Sequence, residues 1–93
     1  MIVRISSEGQ YKVDGELIKK LDDIDNRIVN VCTQDNAMEF KRLLDEMLDL
    51  VRVEGQALPV TDLVKSDVVL PAPDTTLEEA KEMFCGEGLI EQA

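Results

Sequence analysis

The run from Asn36 to Glu54, NAMEFKRLLDEMLDLVRVE, leaves this chain few ways to fold. Phe40, Leu43, Leu44, Met47, Leu50 and Val51 recur at steps of three and four, a spacing that gathers side chains on one face of an α-helix. Lys41, Arg42, Asp45, Asp49 and Arg52 fall largely on the other side. A helix divided in this way has to bury its apolar stripe against a second layer. The segments on either side of it are the candidates for that layer.

Upstream, Leu17, Leu21, Ile24, Ile28 and Val31 form a second stripe, widened by Ile18, Val29 and Cys32. Asp14 or Gly15 can cap this helix, Glu16 suits the positive end of its dipole, and the pattern runs to about Gln34. The polar break TQDNA that follows is short, and Asn36 with Glu39 has the spacing of a capping box. A short connection makes neighbouring helices antiparallel, so the two stripes are expected to face each other in a helical hairpin.

Before this hairpin, the β-branched run IVRIS over Ile2 to Ser6 predicts a strand, and SEGQ over Ser7 to Gln10 a turn with Gly9 available for positive φ. Tyr11 to Val13 completes a short β-hairpin with Tyr11 and Val13 on one face. After it, Gly55 is placed to end the second helix as a C-cap glycine. Gln56 to Pro73 then carries three prolines and no helical stripe. Its Leu58, Val60, Leu63, Val64, Val68, Val69 and Leu70 make it too apolar for a disordered linker. We expect an ordered connector with one helical turn at Thr61 to Val64. Val68 to Leu70 is the candidate third strand, bounded by Pro71. Asp74, Thr75 or Thr76 caps a third helix, with capping boxes available to Thr75 with Glu78 and to Thr76 with Glu79. Leu77, Ala80, Met83 and Phe84 mark its apolar face, Gly86 its end, and Leu89 and Ile90 of the tail can dock on the core. The expected fold is therefore α+β, mainly α: a three-helix core built on an antiparallel helical hairpin, with a short amino-terminal β-hairpin and a candidate third strand. Residues 1–93 read as a single domain.

Composition narrows the function more by exclusion than by indication. Twenty acidic against ten basic residues give a net charge of −10, which repels phosphate backbones and anionic headgroups, so neither nucleic acid nor direct membrane binding is expected. With 3% aromatic residues nothing is provided for stacking on bases. No apolar run approaches the roughly 20 residues of a membrane span, and MIVRISSEGQ lacks a signal-peptide core, which points to a cytoplasmic protein. Cys32 and Cys85 each continue an apolar helical face, a pattern of buried thiols in a reducing compartment and not of a disulfide.

Histidine is absent, which removes the commonest general base near neutral pH and the usual imidazole ligand. Both cysteines fall near helix carboxyl ends, where the dipole raises a thiol's pKa, so no catalytic residue is assigned. Asp22, Asp23 and Asp25 lack the loop spacing and glycine of a calcium site and read as a solvated helix face, with Lys19, Lys20 and Arg27 near for ion pairs. Glu78, Glu79 and Glu82 read the same way. No glycine pattern makes a phosphate loop, so no metal and no cofactor is expected.

Taken together, the start MIVRI with EGQYKVD, the segment LPVTDLVKSDVVLPAPDTTLEEAKEMF and the closing GEGLI resemble the PspA-associated family PspAA. The resemblance covers nearly the whole chain and is most specific at Gly9-Gln10-Tyr11, Ser66-Asp67 to Leu70-Pro71, Asp74 to Glu79 and Gly88-Leu89-Ile90. It implies a largely trihelical, non-enzymatic adaptor that associates with PspA, a coiled-coil protein related to ESCRT-III, in the response to membrane (envelope) stress. It also implies recruitment to the inner face of the membrane through PspA. It assigns no binding residues. The distinctive positions Gly9, Gln10, Tyr11, Ser66, Asp67, Leu89 and Ile90 are therefore the expected partner surface. The alternative is a small regulatory domain that binds a transcription factor, or a metabolite held between hairpin and helices. A homodimer through the helical hairpin is the further expectation, because two stripes this wide exceed what one short third helix covers.

Overall fold

A computed structural model describes residues 1–59 and 64–84. The elements run β1 (Ile2–Ile5), β2 (Gly9–Lys12), α1 (Gly15–Thr33), α2 (Ala37–Glu54), β3 (Gln56–Ala57), β4 (Val68–Leu70) and α3 (Leu77–Phe84). This is the α+β, mainly helical arrangement that the sequence predicts, with a larger sheet than expected.

Local chemistry sets the helix boundaries. The Asp14 side chain accepts the Leu17 N–H at 2.8 Å and opens α1; the Asn36 side chain accepts the Glu39 N–H at 3.1 Å and opens α2. The capping box of α3 is the reciprocal one, with Thr76 Oγ1 accepting from Glu79 N and Glu79 Oε1 from Thr76 N, both at 3.2 Å. Between α1 and α2 the chain turns through Asp35 at φ 55°, while Asn36 N–H donates to Val31 O and Asp35 N–H to Cys32 O, both at 3.4 Å. That pairing is the Schellman pattern, here with aspartate in the left-handed position usually taken by glycine. Gly55 ends α2 differently from expectation: its φ is −78°, so it is not a left-handed cap. What requires glycine is space, since a Cβ would sit 2.5 Å from the Val51 carbonyl oxygen.

Four strands form one mixed sheet in the order β3-β2-β1-β4. β1 and β2 make the expected hairpin, with Val3 opposite Tyr11 and Arg4 opposite Gln10. Strand β2 starts at Gly9, earlier than the Tyr11 start read from the sequence; Gly9 takes the positive φ expected of it, at 157°, and Ser7 is also left-handed, at φ 73°. β4 lies parallel to β1, with Val3 opposite Val68 and Ile5 opposite Leu70, and Pro71 follows at the strand end. β3, unexpected in the connector, pairs antiparallel with β2.

One aliphatic core joins the layers. From the sheet come Val3, Ile5, Val13, Val68 and Leu70; from α1 Leu17, Leu21, Ile24, Ile28, Val31 and Cys32; from α2 Phe40, Leu43, Leu44, Met47, Leu48 and Val51; from α3 Ala80. The seam on which a dimer through the helical hairpin would rest is thus buried within the chain. Three expectations about the core are corrected. Leu48 is fully buried and Leu50 only partly so. Val64 and Val69 remain 44% and 47% exposed, because both sit on the side of the sheet away from the helices. Asp25, expected in solvent, is 0% exposed, and among the described residues no buried polar side-chain atom lacks a hydrogen-bond partner. It lies four residues after Leu21 and three before Ile28, on the buried stripe itself.

The expected helical turn at 61–64 falls largely outside the described residues, as do Val60, Leu63, Cys85, the helix end at Gly86, and the tail with Leu89 and Ile90.

Candidate functional site on the outer face of the sheet

Strand alternation gives the sheet two different faces. Val3 and Ile5 point into the core, so Ile2 and Arg4 point away from it, and the register sets Lys12 beside Ile2 and both Gln10 and Val69 beside Arg4. The connector between β3 and β4 has to pass from one edge of the sheet to the other. The helices occupy the inner face, and residues 64–66 of the connector lie on the outer one, against Gln10.

Gln10 pins that crossing. Its Nε2 donates to Val64 O at 2.7 Å and to Ser66 Oγ at 2.8 Å, while its backbone carbonyl accepts the Leu58 N–H at 2.9 Å. Asp67 closes the crossing against β1 in two directions: Ile2 N–H donates to Asp67 Oδ2 and Asp67 N–H to Ile2 O, each at 2.8 Å. Of the seven positions expected to form the partner surface, two are in direct contact, Gln10 of β2 and Ser66 of the connector, with Gly9 and Tyr11 adjoining Gln10 in β2 and Asp67 adjoining Ser66 but bonded to Ile2 of β1. Tyr11 lies across from Val3 and packs partly into the core, so it contributes less to the surface than its neighbours.

Beside the crossing lies an open groove of about 440 Å³, with Arg4, Glu8, Gln10, Leu58, Pro59 and Val64 in its walls. Glu8 is not available to it as a free carboxylate. Arg52 at the end of α2 grips Glu8 through both Nε, which donates to Oε2 at 3.0 Å, and Nη2, which donates to Oε1. This two-pronged hydrogen bond lowers the Glu8 pKa below its ordinary 4.5 and raises that of Arg52. It also clamps the β1–β2 turn to the helical layer. The space between sheet and helices, by contrast, is filled with core side chains, and the groove is on the opposite side of the sheet.

The helical side has its own charge pattern. Lys20 reaches Glu54 at 3.0 Å across the hairpin, Arg27 pairs with Asp23 at 3.0 Å, and Lys81 of α3 pairs with Asp35 in the α1–α2 turn. Of the ion pairs expected within α1, Arg27 with Asp23 is seen, while Asp25 is buried and Lys20 is engaged by α2. Among the described residues no group of histidine, cysteine, aspartate or glutamate side chains is arranged to hold a metal ion. No helix among them is long and apolar enough to cross a membrane.

Sequence reasoning reached Gln10 and Ser66 through their distinctiveness and not through their contact. It missed Arg4, Leu58 and Pro59. Arg4 follows from alternation in β1, but only once β1 is known to be covered on one face.

These features define a class: a small α+β domain whose aliphatic core is closed and whose polar, grooved sheet face is turned outward. The chain belongs to the PspAA family, whose model, described as PspA-Associated protein, matches residues 1–92. No curated protein and no solved structure matches it.

Proposed function

We propose that this protein is a non-enzymatic adaptor that associates with PspA and adjusts its assembly or signalling in the membrane-stress response. The observation that carries the reading is the family match over residues 1–92, since the family is named for that association. Two physical features support it. The sequence supplies no histidine, and the described residues offer no metal cluster, so little is available for catalysis. Gln10 and Ser66, two of the positions the sequence singles out, touch on the outer side of the sheet, which supports placing the partner surface there. At a net charge of −10 the chain reaches an anionic membrane through PspA and not by its own contact with lipid.

The test is co-purification of the tagged chain with PspA of the same organism, followed by a salt titration. Retention of PspA at low salt that weakens as salt rises is the expected result. If PspA passes through unretained at low salt, the adaptor reading falls. Saturable thermal stabilisation by a small molecule in place of PspA binding would favour a regulatory domain that uses the groove.

A further inference from the structure

The ten cations of this chain divide by layer. Lys20, Arg27, Lys41, Arg42, Arg52 and Lys81 lie on helices and hold every ion pair seen among the described residues. The other four are Arg4, Lys12, Lys19 and Lys65. Lys19 is on α1; the other three belong to the sheet side. Arg4 and Lys12 stand on the outer face, opposite Gln10 and Ile2, and both are exposed, as is Lys65. Lys65 lies in the crossing segment between Val64 and Ser66, the two residues that Gln10 holds.

Of the described carboxylates on this side, Glu8 is compensated by Arg52, while Asp67 accepts the Ile2 N–H and keeps its negative charge, one against the three cations. On α3, by contrast, Glu78 and Glu82 are exposed and make no ion pair. Among the described residues, three of the four cations without an ion pair thus lie on the sheet side of a chain whose net charge is −10, and only Lys19 lies elsewhere. The sheet side also carries the groove, where Leu58, Pro59 and Val64 add apolar wall.

We propose that the outer sheet face, with Arg4 in the wall of the groove and Lys12 and Lys65 on the same side of the domain, docks an acidic segment of PspA that bears at least one apolar side chain. The proposal rests on the adaptor reading and adds to it the surface used and the chemistry of the partner. Charge complementarity favours an acidic protein segment over an anionic bilayer. A segment meets only this face, whereas a membrane faces the long-range field of the whole acidic domain. An apolar side chain entering the groove holds the register, and the cations select the partner and speed encounter.

Calorimetric titration of the full chain with PspA tests this. Arg4→Glu with Lys12→Glu is expected to raise Kd at least about tenfold at low salt, with the gap narrowing at about 0.5 M salt. Glu78→Gln with Glu82→Gln on α3 is expected to leave Kd within about twofold. Neither Arg4 nor Lys12 holds an ion pair, so the reversed protein should unfold at the wild-type temperature. Should it fail to fold, Arg4→Gln with Lys12→Gln carries the same test with a smaller expected loss, about threefold.

Undiminished binding by the sheet variants, or a loss confined to the α3 variants, overturns the proposal while PspA binding by the wild type keeps the adaptor reading intact. Absence of wild-type binding removes both. Wild-type protein that sediments with phosphatidylglycerol vesicles without PspA, and is released by the double reversal, assigns the face to lipid and also overturns the proposal.

Discussion

At Gly55 a single hydrogen atom in place of a side chain decides whether α2 can end where it does. The backbone there is ordinary, with φ −78° and ψ 162°, but the position of a Cβ would lie 2.5 Å from the Val51 carbonyl oxygen and 3.3 Å from the Tyr11 Cβ. The oxygen belongs to the last turn of the helix and accepts the Gly55 N–H at 2.8 Å, so it cannot yield without breaking that bond. Gly55→Ala is expected to destabilise the fold by about 1–3 kcal/mol, read as a lower urea midpoint at unchanged slope. The sequence marked Gly55 as a helix stop but not the steric reason, because the close approach of the Val51 carbonyl oxygen depends on the extended backbone at the helix end, which residue pattern does not record. Asp25 is the converse case. Its spacing from Leu21 and Ile28 was readable, yet its charge and its acidic neighbours argued for solvent, and only packing showed that position outweighs polarity there.

The elements differ in how much of their stability is local. α1 and α2 are long and amphipathic, and their caps at Asp14 and Asn36 were legible from residue type alone. α3 has only eight residues, too few to persist without tertiary support and a good start. Its reciprocal box between Thr76 and Glu79 supplies that start. Thr76→Ala should therefore lower stability by about 1 kcal/mol, with faster amide exchange concentrated in α3 and not in the hairpin. The strands were less legible. β3 is two exposed residues, Gln56 and Ala57, with none of the alternation that marks a strand, and it exists because the free edge of β2 offers it partners. β4 was found from its β-branched residues, but its parallel pairing with β1 depends on the crossing that Gln10 and Asp67 hold in place.

For the whole molecule, the link between layers that responds to pH is the Glu8–Arg52 pair. Arg52 lowers the Glu8 pKa from 4.5, so the pair's contribution is complete above that value and is lost as pH falls through the lower folded-state value. Both groups are partly exposed, which limits the contribution to about 0.5–1 kcal/mol. The stability difference between wild type and Arg52→Ala should have that size near pH 7 and narrow steadily below pH 4.5, as followed by denaturant titrations across the acid range. A difference that is constant with pH would show that Arg52 acts through packing or through Asp49 instead.

By itself the sequence determined the helical hairpin, its caps, the third helix, the short amino-terminal strands and the family, because all of these are written in local spacing or in contiguous motifs. It also determined the net acidity that argues against nucleic acid and bare lipid. Only the tertiary structure decided that a four-stranded sheet closes the core, that residues 64–66 of the connector lie on its outer face, and that Arg4, Lys12 and Lys65 have no carboxylate partner among the described residues. Those outcomes depend on which residues from distant parts of the chain share a face, and on long-range pairing such as that of Gln10 with Ser66 and Glu8 with Arg52. No run of neighbouring residues encodes such pairings.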